Sequence, residues 1–213
     1  MPNELQDVKK AELLSNLPPN AMAQIGNSNT QIAHANTVNN ITTFVIPPVQ
    51  ANAGATGGVV TLCRDCYNLF VVGDESFTDM VGHFTVPKDR ALTESMTEDL
   101  KAQFSTLQGD AIAKIMTFPS IFASKNKDYG KTDAAHQAYY GMVLNVEPQD
   151  NGIKITYRWL SSFPQQRLNE IAASIGIEYA SSFNELDKTH WAIKELDLIE
   201  ALRMANISVL APT

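Results

Sequence analysis

Scarce residues limit what this chain of 213 residues can be. Its two cysteines, Cys63 and Cys66, are separated by two residues, which is a poor geometry for a structural disulfide in a chain of this size, so we expect a reducing compartment. The 16 basic residues are outnumbered by 23 acidic ones, and a net charge of -7 repels a phosphate backbone. The sequence therefore predicts no bulk binding of duplex DNA.

Long apolar runs are missing as well. No stretch approaches the length of a membrane span, and the start, MPNELQDVKK, lacks the basic-then-apolar pattern of an export signal. We therefore expect a cytoplasmic protein without membrane contact. The chain does contain 44% apolar residues, enough for the core of one ordinary domain with an extension, or of two small domains.

Residues 1–23 are predicted to contain a docking helix. In ELQDVKKAELLSNL, residues 4–17, five apolar side chains fall near one helical face, and the Pro-Pro pair that follows ends the helix. These side chains are Leu5, Val8, Leu13, Leu14 and Leu17. They are too few to form a core alone, so we expect the helix to dock on its own domain or on a partner.

Residues 24–58 are predicted to form a polar tether and a flexible joint. The stretch QIGNSNTQIAHANT holds two similar heptads with one isoleucine each, Ile25 and Ile32. A coiled coil is rejected, because Gly, Asn, Thr and Ser are weak helix formers and one apolar position per heptad is half a seam. Three interpretations stay open: a strand-turn-strand element ending in TVNNITTFVI, a tether that orders against a neighbour, or a solvated linker. The joint is VQANAGATGG.

Residues 59–213 show the pattern of a compact α+β domain. Strands are predicted in VVTLCRDCYNLFVV, HFTVP, FPSIFAS and THWAIKEL. The clearest pattern is a hairpin, in which the strand-like runs YYGMVLNVE and IKITYRWL flank the turn sequence PQDNG. We expect a small mixed, mainly antiparallel sheet or a half-open barrel with edge helices.

Capping residues predict four helices in this domain. Ser95 with Glu98 starts a helix to about Leu107, which Gly109 ends, and Asp110 starts a second helix to Met116. Two later helices are expected in FPQQRLNEIAASIGI, with Ser162 as cap and Gly176 at the end, and in DLIEALRMAN, with Asp197 and Glu200 as a capping box.

The cysteine pair is a candidate metal site. Two thiolates three positions apart could ligate one zinc, with His83 or His136 as further ligands. A structural zinc site usually needs a second closely spaced ligand pair, and both histidines are isolated. A redox role would place a helix after the pair, whereas YNLFVV continues as a strand. We expect ordinary thiols at Cys63 and Cys66, no metal and no cofactor.

Two histidines are candidates for acid-base chemistry. His136 lies in the predicted polar loop KNKDYGKTDAAHQ, near Asp133, and His190 lies between a threonine and a tryptophan. No sequence spacing gives His190 a partner acid, and a half-buried histidine is more commonly hydrogen-bonded within the fold. For His136 the alternative is a soluble loop that is rich in Asp and His. No catalytic residue is therefore assigned.

The segment KNKDYGK, residues 125–131, is the best candidate ligand site. Lysines neutralise an anion and a tyrosine ring stacks on a base, and an arginine and a tryptophan at the far end of the hairpin complete a nucleotide-sized pocket. The candidate ligand-binding residues are Lys125, Lys127, Tyr129, Lys131, Arg158 and Trp159. The alternative is a lysine-rich surface loop without a ligand.

Two resemblances accompany these patterns. The blocks HFTVPKDRALTESM, FPSIFASKNKDYGKTD, YYGMVLNVEPQDNGIKI and FNELDKTHWAIKELDLIEAL resemble those of uncharacterised bacterial proteins, over most of residues 83–202. The stretch QIGNSNTQIAHANTVNNITT resembles the spacer of many bacterial conflict-system and antiphage proteins, where it joins an adaptor or effector-associated part to a sensor or assembly part. Neither resemblance brings a catalytic pattern to this chain.

The sequence favours a non-enzymatic interaction or adaptor protein, and the resemblance of its spacer implies a bacterial intracellular system of the antiphage type as the setting. Its N-terminal region would act by homo-oligomerisation or by docking on a protein partner. The alternative is a β-domain that binds a nucleotide or a nucleic-acid end. A hydrolase that uses a histidine is the second alternative.

Overall fold

The computed structural model describes residues 41–45, 59–73, 77–181 and 183–211. The predicted docking helix and the two heptads, and with them Leu5, Val8, Leu13, Leu14, Leu17, Ile25 and Ile32, lie outside the described residues. In the described part, no helix is long and apolar enough to cross a membrane.

The described chain alternates strands with short helices. Its strands are β1 (Ile41–Val45), β2 (Val59–Cys63), β3 (Tyr67–Val72), β4 (Val81–Val86), β5 (Pro119–Ser124), β6 (Gln137–Gln149), β7 (Gly152–Pro164), β8 (Tyr179–Ala180), β9 (Phe183–Asn184) and β10 (His190–Lys194). Its α-helices are α1 (Glu98–Phe104), α2 (Gly109–Ile115), α3 (Gln166–Glu170) and α4 (Leu198–Met204). Single 3₁₀ turns span Lys88–Arg90, Ala172–Ile175 and Glu185–Asp187.

Six strands form the main sheet, in the order β10-β3-β5-β6-β7-β4. Strands β3 and β5 run parallel, and every other neighbouring pair in this sheet is antiparallel. The predicted α+β class with a mainly antiparallel sheet is thus confirmed, and the sheet is open rather than closed into a barrel. The strands predicted in VVTLCRDCYNLFVV, HFTVP, FPSIFAS and THWAIKEL are all present.

The sheet is covered on both faces. Side chains alternate across a strand, so Phe70 of β3 and Phe122 of β5 lie in one core cluster, while Leu69 and Ile121 lie in the other. Helices α1 and α2 add Phe104 and other residues to the first cluster, and α3 and α4 contribute to the second. This double burial explains why β3 and β5 read as almost continuous apolar runs.

The predicted hairpin is confirmed and is longer than expected. Strands β6 and β7 pair antiparallel from Gln149↔Gly152 at the turn to Gln137↔Pro164 at the open end. The register shifts at two places, one of them between Tyr140 and Gly141. The two strands approach each other closely at Gly141. A Cβ atom added there would lie only 2.1 Å from the Arg158 carbonyl oxygen.

Two predicted helix starts are wrong. The cap of α1 is Thr97, whose Oγ1 accepts from the Leu100 N–H at 3.3 Å, whereas Ser95 has a φ of 56°. The same short helix ends at Phe104. Gly109 begins α2 instead of ending α1, so Asp110 lies within the first turn of α2 and is not its cap. Ser95 lies outside the helix, and its carbonyl accepts a hydrogen bond from Lys194 Nζ at 2.9 Å.

The predicted helix in FPQQRLNEIAASIGI is also shorter than expected. Ser162 belongs to β7, which continues to Pro164, and is not a helix cap. Helix α3 and a 3₁₀ turn divide the remaining residues, and Gly176 ends that turn with a left-handed φ of 69°. The predicted capping box of the last helix is confirmed only in its first half. Asp197 accepts from the Glu200 N–H at 3.1 Å, while the Glu200 carboxylate accepts from Arg203.

Strand β1 forms a separate two-stranded ribbon with β2. This strand lies within TVNNITTFVI, where the sequence suggested one, and pairs from Ile41↔Cys63 to Val45↔Val59. The segment assigned to the tether thus reaches into the globular part through main-chain pairing.

Candidate ligand-binding site

One end of the main sheet brings four chain segments together. Because β3 and β5 are parallel, their carboxyl ends, at Gly73 and Ser124, lie at the same edge of the sheet. Strands β6 and β10 run the opposite way, so their amino ends, at Gln137 and Thr189, lie there too. A cavity of about 710 Å³ opens between these four residues and their loops, and we call it the edge cavity. Carboxyl ends of parallel strands are a common location for ligand sites.

The loop between β5 and β6, residues 125–136, forms one wall of the edge cavity, and Gln165 holds both of its ends. The buried Gln165 side chain accepts from the Ser124 N–H at 3.0 Å and donates to the Ser124 carbonyl at 2.6 Å. The Gln165 main-chain N–H donates to the His136 carbonyl at 2.9 Å. The loop therefore leaves and rejoins the sheet at two fixed points.

Asn126 anchors the same loop to the segments around Asn169 and Leu186. Its N–H donates to the Leu186 carbonyl at 2.9 Å, and its side chain amide donates to Asp187 Oδ1 at 2.8 Å and to Asn169 Oδ1 at 3.0 Å. Asn169 returns a hydrogen bond to Asn126 Oδ1, also at 3.0 Å. With its own hydrogen bonds satisfied inside the protein, Asn126 serves to position the two lysines beside it.

Those two lysines differ in charge environment. Both Lys125 and Lys127 line the edge cavity and are exposed. Lys127 forms an ion pair with Asp133 of the same loop. Within the described ranges, Lys125 forms no ion pair with any acidic residue. Lys125 is therefore the cation whose charge is available to a ligand.

His136 closes the loop and lines the edge cavity. Its Nδ1 is buried without a hydrogen-bond partner among the described residues, and its main-chain N–H donates to the Asp133 carbonyl at 3.0 Å. The buried Nδ1 is closed to a ligand, so Nε2 is the ring nitrogen that remains to meet one.

Aromatic side chains form another part of the cavity wall. Phe77 and Tyr139 line the edge cavity, with ring centroids 5.4 Å apart. Behind Tyr139 lies Trp159, whose ring centroid is also 5.4 Å away. Such spacing is typical of packed aromatic pairs, so the half-buried Tyr139 ring is held between two others.

The structure brings only part of the predicted ligand site together. Lys125 and Lys127 line the edge cavity, and Trp159 supports Tyr139. Tyr129 instead packs on Tyr179, with centroids 5.2 Å apart, and Lys131 is exposed in a turn where its N–H donates to the Asp128 carbonyl. Arg158 is buried within β7, 7% exposed. These last three residues do not line the cavity.

Sequence reasoning missed the residues that other segments contribute to the edge cavity. Phe77, Thr78, Gln137, Tyr139 and Thr189 come from three separate segments. The parallel pairing of β3 with β5 brings these segments to one edge of the sheet, and no local sequence pattern predicts that pairing. A partial signal was present at Tyr139, an aromatic residue at the start of a predicted strand that directly follows the lysine loop.

The second candidate histidine lies in a buried ion cluster of Glu185, His190 and Lys194. His190 Nδ1–H donates to the Lys188 carbonyl at 2.9 Å, and Nε2 lies 2.9 Å from Glu185 Oε1. Lys194 Nζ lies 2.8 Å from Glu185 Oε2. Their side chains are 4%, 1% and 8% exposed for His190, Glu185 and Lys194. Both ring nitrogens are occupied, so a substrate has no route to His190 in this conformation.

The carboxylate is the centre of this cluster. Burial by itself raises the pKa of Glu185, but the hydrogen bond from His190 and the charge and hydrogen bond of Lys194 outweigh it and hold that pKa below its usual value. The Glu178 N–H also donates to Glu185 Oε2, at 2.8 Å. Glu185 is therefore ionised and fully hydrogen-bonded at neutral pH.

The cysteines lie on either side of the turn between β2 and β3, and both are buried and free. Burial raises the pKa of Cys66 to about 12 and also raises the pKa of Cys63. Since the thiolate is the nucleophile and the metal ligand, both residues are poor candidates for either role at neutral pH. No group of three or more His, Cys, Asp or Glu residues is placed to hold a metal ion in the described segments.

Comparison with known protein families, curated proteins and solved structures finds no match to this chain. The two resemblances seen in the sequence stay predictions. What the domain binds is therefore inferred from the residues that line the edge cavity.

Proposed function

We propose that the domain binds a small anionic ligand in the edge cavity. The observation that carries this proposal is Lys125, an unpaired cation in the described chain, at the mouth of a cavity that also holds Lys127 and His136. A volume of about 710 Å³ falls in the range of small-molecule sites, which run from about 300 to 1,000 Å³. The anchored loop supports a preformed site, because Asn126 and Gln165 are both buried and hydrogen-bonded.

The charge pattern favours a small ligand over a polymer. The whole chain carries a net charge of -7, and the lysine loop itself contains Asp128 and Asp133. A long phosphate backbone would be repelled by the net negative charge of the chain, whereas a single anionic group would meet mainly Lys125 and its neighbours.

Replacing Lys125 by glutamine is expected to weaken the binding of pyrophosphate about tenfold, because a hydrogen bond to a charged group contributes about 1.5 kcal/mol. Lys127→Gln is expected to have a smaller effect, since Asp133 already neutralises that ammonium group. Isothermal titration calorimetry at about 50 and 200 mM salt measures both, and the salt dependence is expected to be shallower in Lys125→Gln.

Lys101→Gln is the matched control. This lysine is on α1, away from the edge cavity, and pairs with Glu98 at 2.8 Å. Equal weakening in Lys101→Gln and Lys125→Gln would mean that only the overall charge matters, and would contradict a site at Lys125. An absence of binding by pyrophosphate, inorganic phosphate and small carboxylates would contradict the proposal as a whole.

A second proposal is the adaptor role, in which the N-terminal region acts in self-assembly or docking within a bacterial intracellular system. The β1–β2 ribbon supports it. Strands at the edge of a sheet readily pair with another chain, and among the described strands β1 pairs with β2 alone. A partner strand added to this ribbon would stabilise it.

Deletion of residues 1–38 tests the adaptor role and leaves both strands of the ribbon in place. We expect the full chain to show a larger mass by light scattering than the shortened chain, or to retain a cellular partner that the shortened chain loses. Identical masses together with an unchanged set of partners would remove the support for this role.

A further inference from the structure

The edge cavity contains more than a cationic wall, and its remaining groups suggest what the anion is attached to. Five lining residues carry hydrogen-bonding or aromatic side chains that the protein itself leaves unused: Thr78, His136, Gln137, Tyr139 and Thr189. The described structure gives none of the five a side-chain hydrogen bond. Asn126, by contrast, lines the same cavity and makes all of its hydrogen bonds within the protein. The unused groups are therefore available to a ligand.

The aromatic part of the cavity wall indicates a second property of the ligand, a flat ring. The Tyr139 ring is packed against Phe77 and Trp159, so its position is set before a ligand arrives. Phe77 is 3% exposed, which leaves Tyr139 as the aromatic surface on this wall that a ligand reaches. A ring held in place loses little entropy on binding, and every nucleobase offers a flat face to stack on such a ring.

From this combination we infer that the ligand is a nucleoside monophosphate, with its phosphate at Lys125 and its base against Tyr139. The inference rests on the proposed function and names the chemical class of the anion. The unused hydroxyl and amide groups of Thr78, Thr189 and Gln137 match the sugar hydroxyls and base edges of such a ligand. The net charge of -7 favours a single nucleotide over a strand.

The test compares AMP with ribose 5-phosphate by calorimetry on the full chain. Ribose 5-phosphate keeps the phosphate and the sugar and lacks the base, so the comparison isolates stacking. We expect AMP to bind about tenfold more tightly, the usual worth of one stacked base. Lys125→Gln is expected to weaken both ligands about tenfold, since both carry the phosphate.

Two Tyr139 variants form the matched pair. Tyr139→Leu is expected to bind AMP no more tightly than ribose 5-phosphate, whereas Tyr139→Phe keeps the ring and the preference. The fluorescence of Trp159, which packs against Tyr139, gives a readout in the wild-type chain. We expect AMP to change this fluorescence and ribose 5-phosphate to leave it unchanged. Trp159→Phe should abolish that change, because the remaining Trp191 is fully buried.

The outcomes separate the two levels of the argument. If ribose 5-phosphate and AMP bind equally in the wild-type chain, the nucleotide class is overturned and the anion site stands. Tighter binding of a short oligonucleotide than of AMP also overturns the mononucleotide class. If AMP, ribose 5-phosphate and inorganic phosphate all fail to bind, the inference falls. If pyrophosphate and small carboxylates fail to bind as well, the proposed function falls with it.

Discussion

Replacing Glu185 by glutamine is expected to lower the free energy of unfolding by about 3–5 kcal/mol, the usual cost of removing one partner from a buried ion pair. The substitution preserves side-chain volume, so the loss is electrostatic. Lys194 and His190 would keep their buried positions without the carboxylate that both contact, at 2.8 and 2.9 Å. Urea denaturation monitored by circular dichroism measures the change.

Glu170→Gln is the matched control for this prediction. Glu170 forms an exposed ion pair with Arg167, with side chains 48% and 41% exposed. Exposed pairs of this kind contribute about 0–1 kcal/mol, so the control is expected to be nearly neutral. Equal stability losses in the two variants would contradict a special role for the buried ion cluster.

The pH dependence of the same variant follows from the lowered pKa of Glu185. A carboxyl group whose folded pKa lies below its unfolded value stabilises the protein fully above the unfolded pKa, about 4.3 for glutamate. That contribution is lost as the pH falls through the folded pKa. The stability difference between wild type and Glu185→Gln is therefore expected to be largest near neutral pH and to shrink below about pH 4.

Gly141→Ala is expected to destabilise the protein by about 3 kcal/mol, at the upper end of overpacking effects. The added Cβ would lie 2.1 Å from the Arg158 carbonyl oxygen and 2.6 Å from the Trp159 Cα. Both are main-chain atoms, so no side-chain rotation relieves the contact. The paired strands β6 and β7 must separate locally, at a place where their register already shifts.

Gly109→Ala provides the comparison. Gly109 begins α2, and a Cβ added there meets nothing within 4 Å. Alanine is favoured over glycine in helices by up to about 1 kcal/mol, so this variant is expected to be neutral or slightly more stable. Thermal and urea unfolding of both variants measures the contrast, and a stability loss at Gly141 no larger than at Gly109 would contradict the close strand approach.

Much of the fold could be predicted because its signals are local. The strands β3 and β5 are short apolar runs, and the β6–β7 hairpin turns at Asp150 and Asn151, directly before Gly152, between two strand-like segments. The cap of α1 was harder to predict, because Ser95 and Thr97 both carry a hydroxyl group shortly before this helix. A tertiary hydrogen bond from Lys194 to the Ser95 carbonyl accompanies the choice of Thr97.

The candidate site was predictable only in part, for a related reason. Lys125 and Lys127 are close in sequence and share one loop, so composition identified them. Tyr139 and Thr189 join them only because distant strands meet at one edge of the sheet. The buried ion cluster was not predictable for the same reason. In the sequence its members are ordinary polar residues, and the fold brings Glu185 of the 3₁₀ turn into contact with His190 and Lys194 of β10.

The position of β10 has a consequence for how the chain is made. This late strand pairs with β3, which the ribosome completes more than a hundred residues earlier. Until His190–Lys194 emerges, one side of β3 has no partner, and Phe70 lacks the Trp191 ring on which it stacks at 5.2 Å. The six-stranded sheet therefore cannot be completed before residues 190–194 have been synthesised, and a product stalled before them would carry an unpaired apolar strand that favours aggregation.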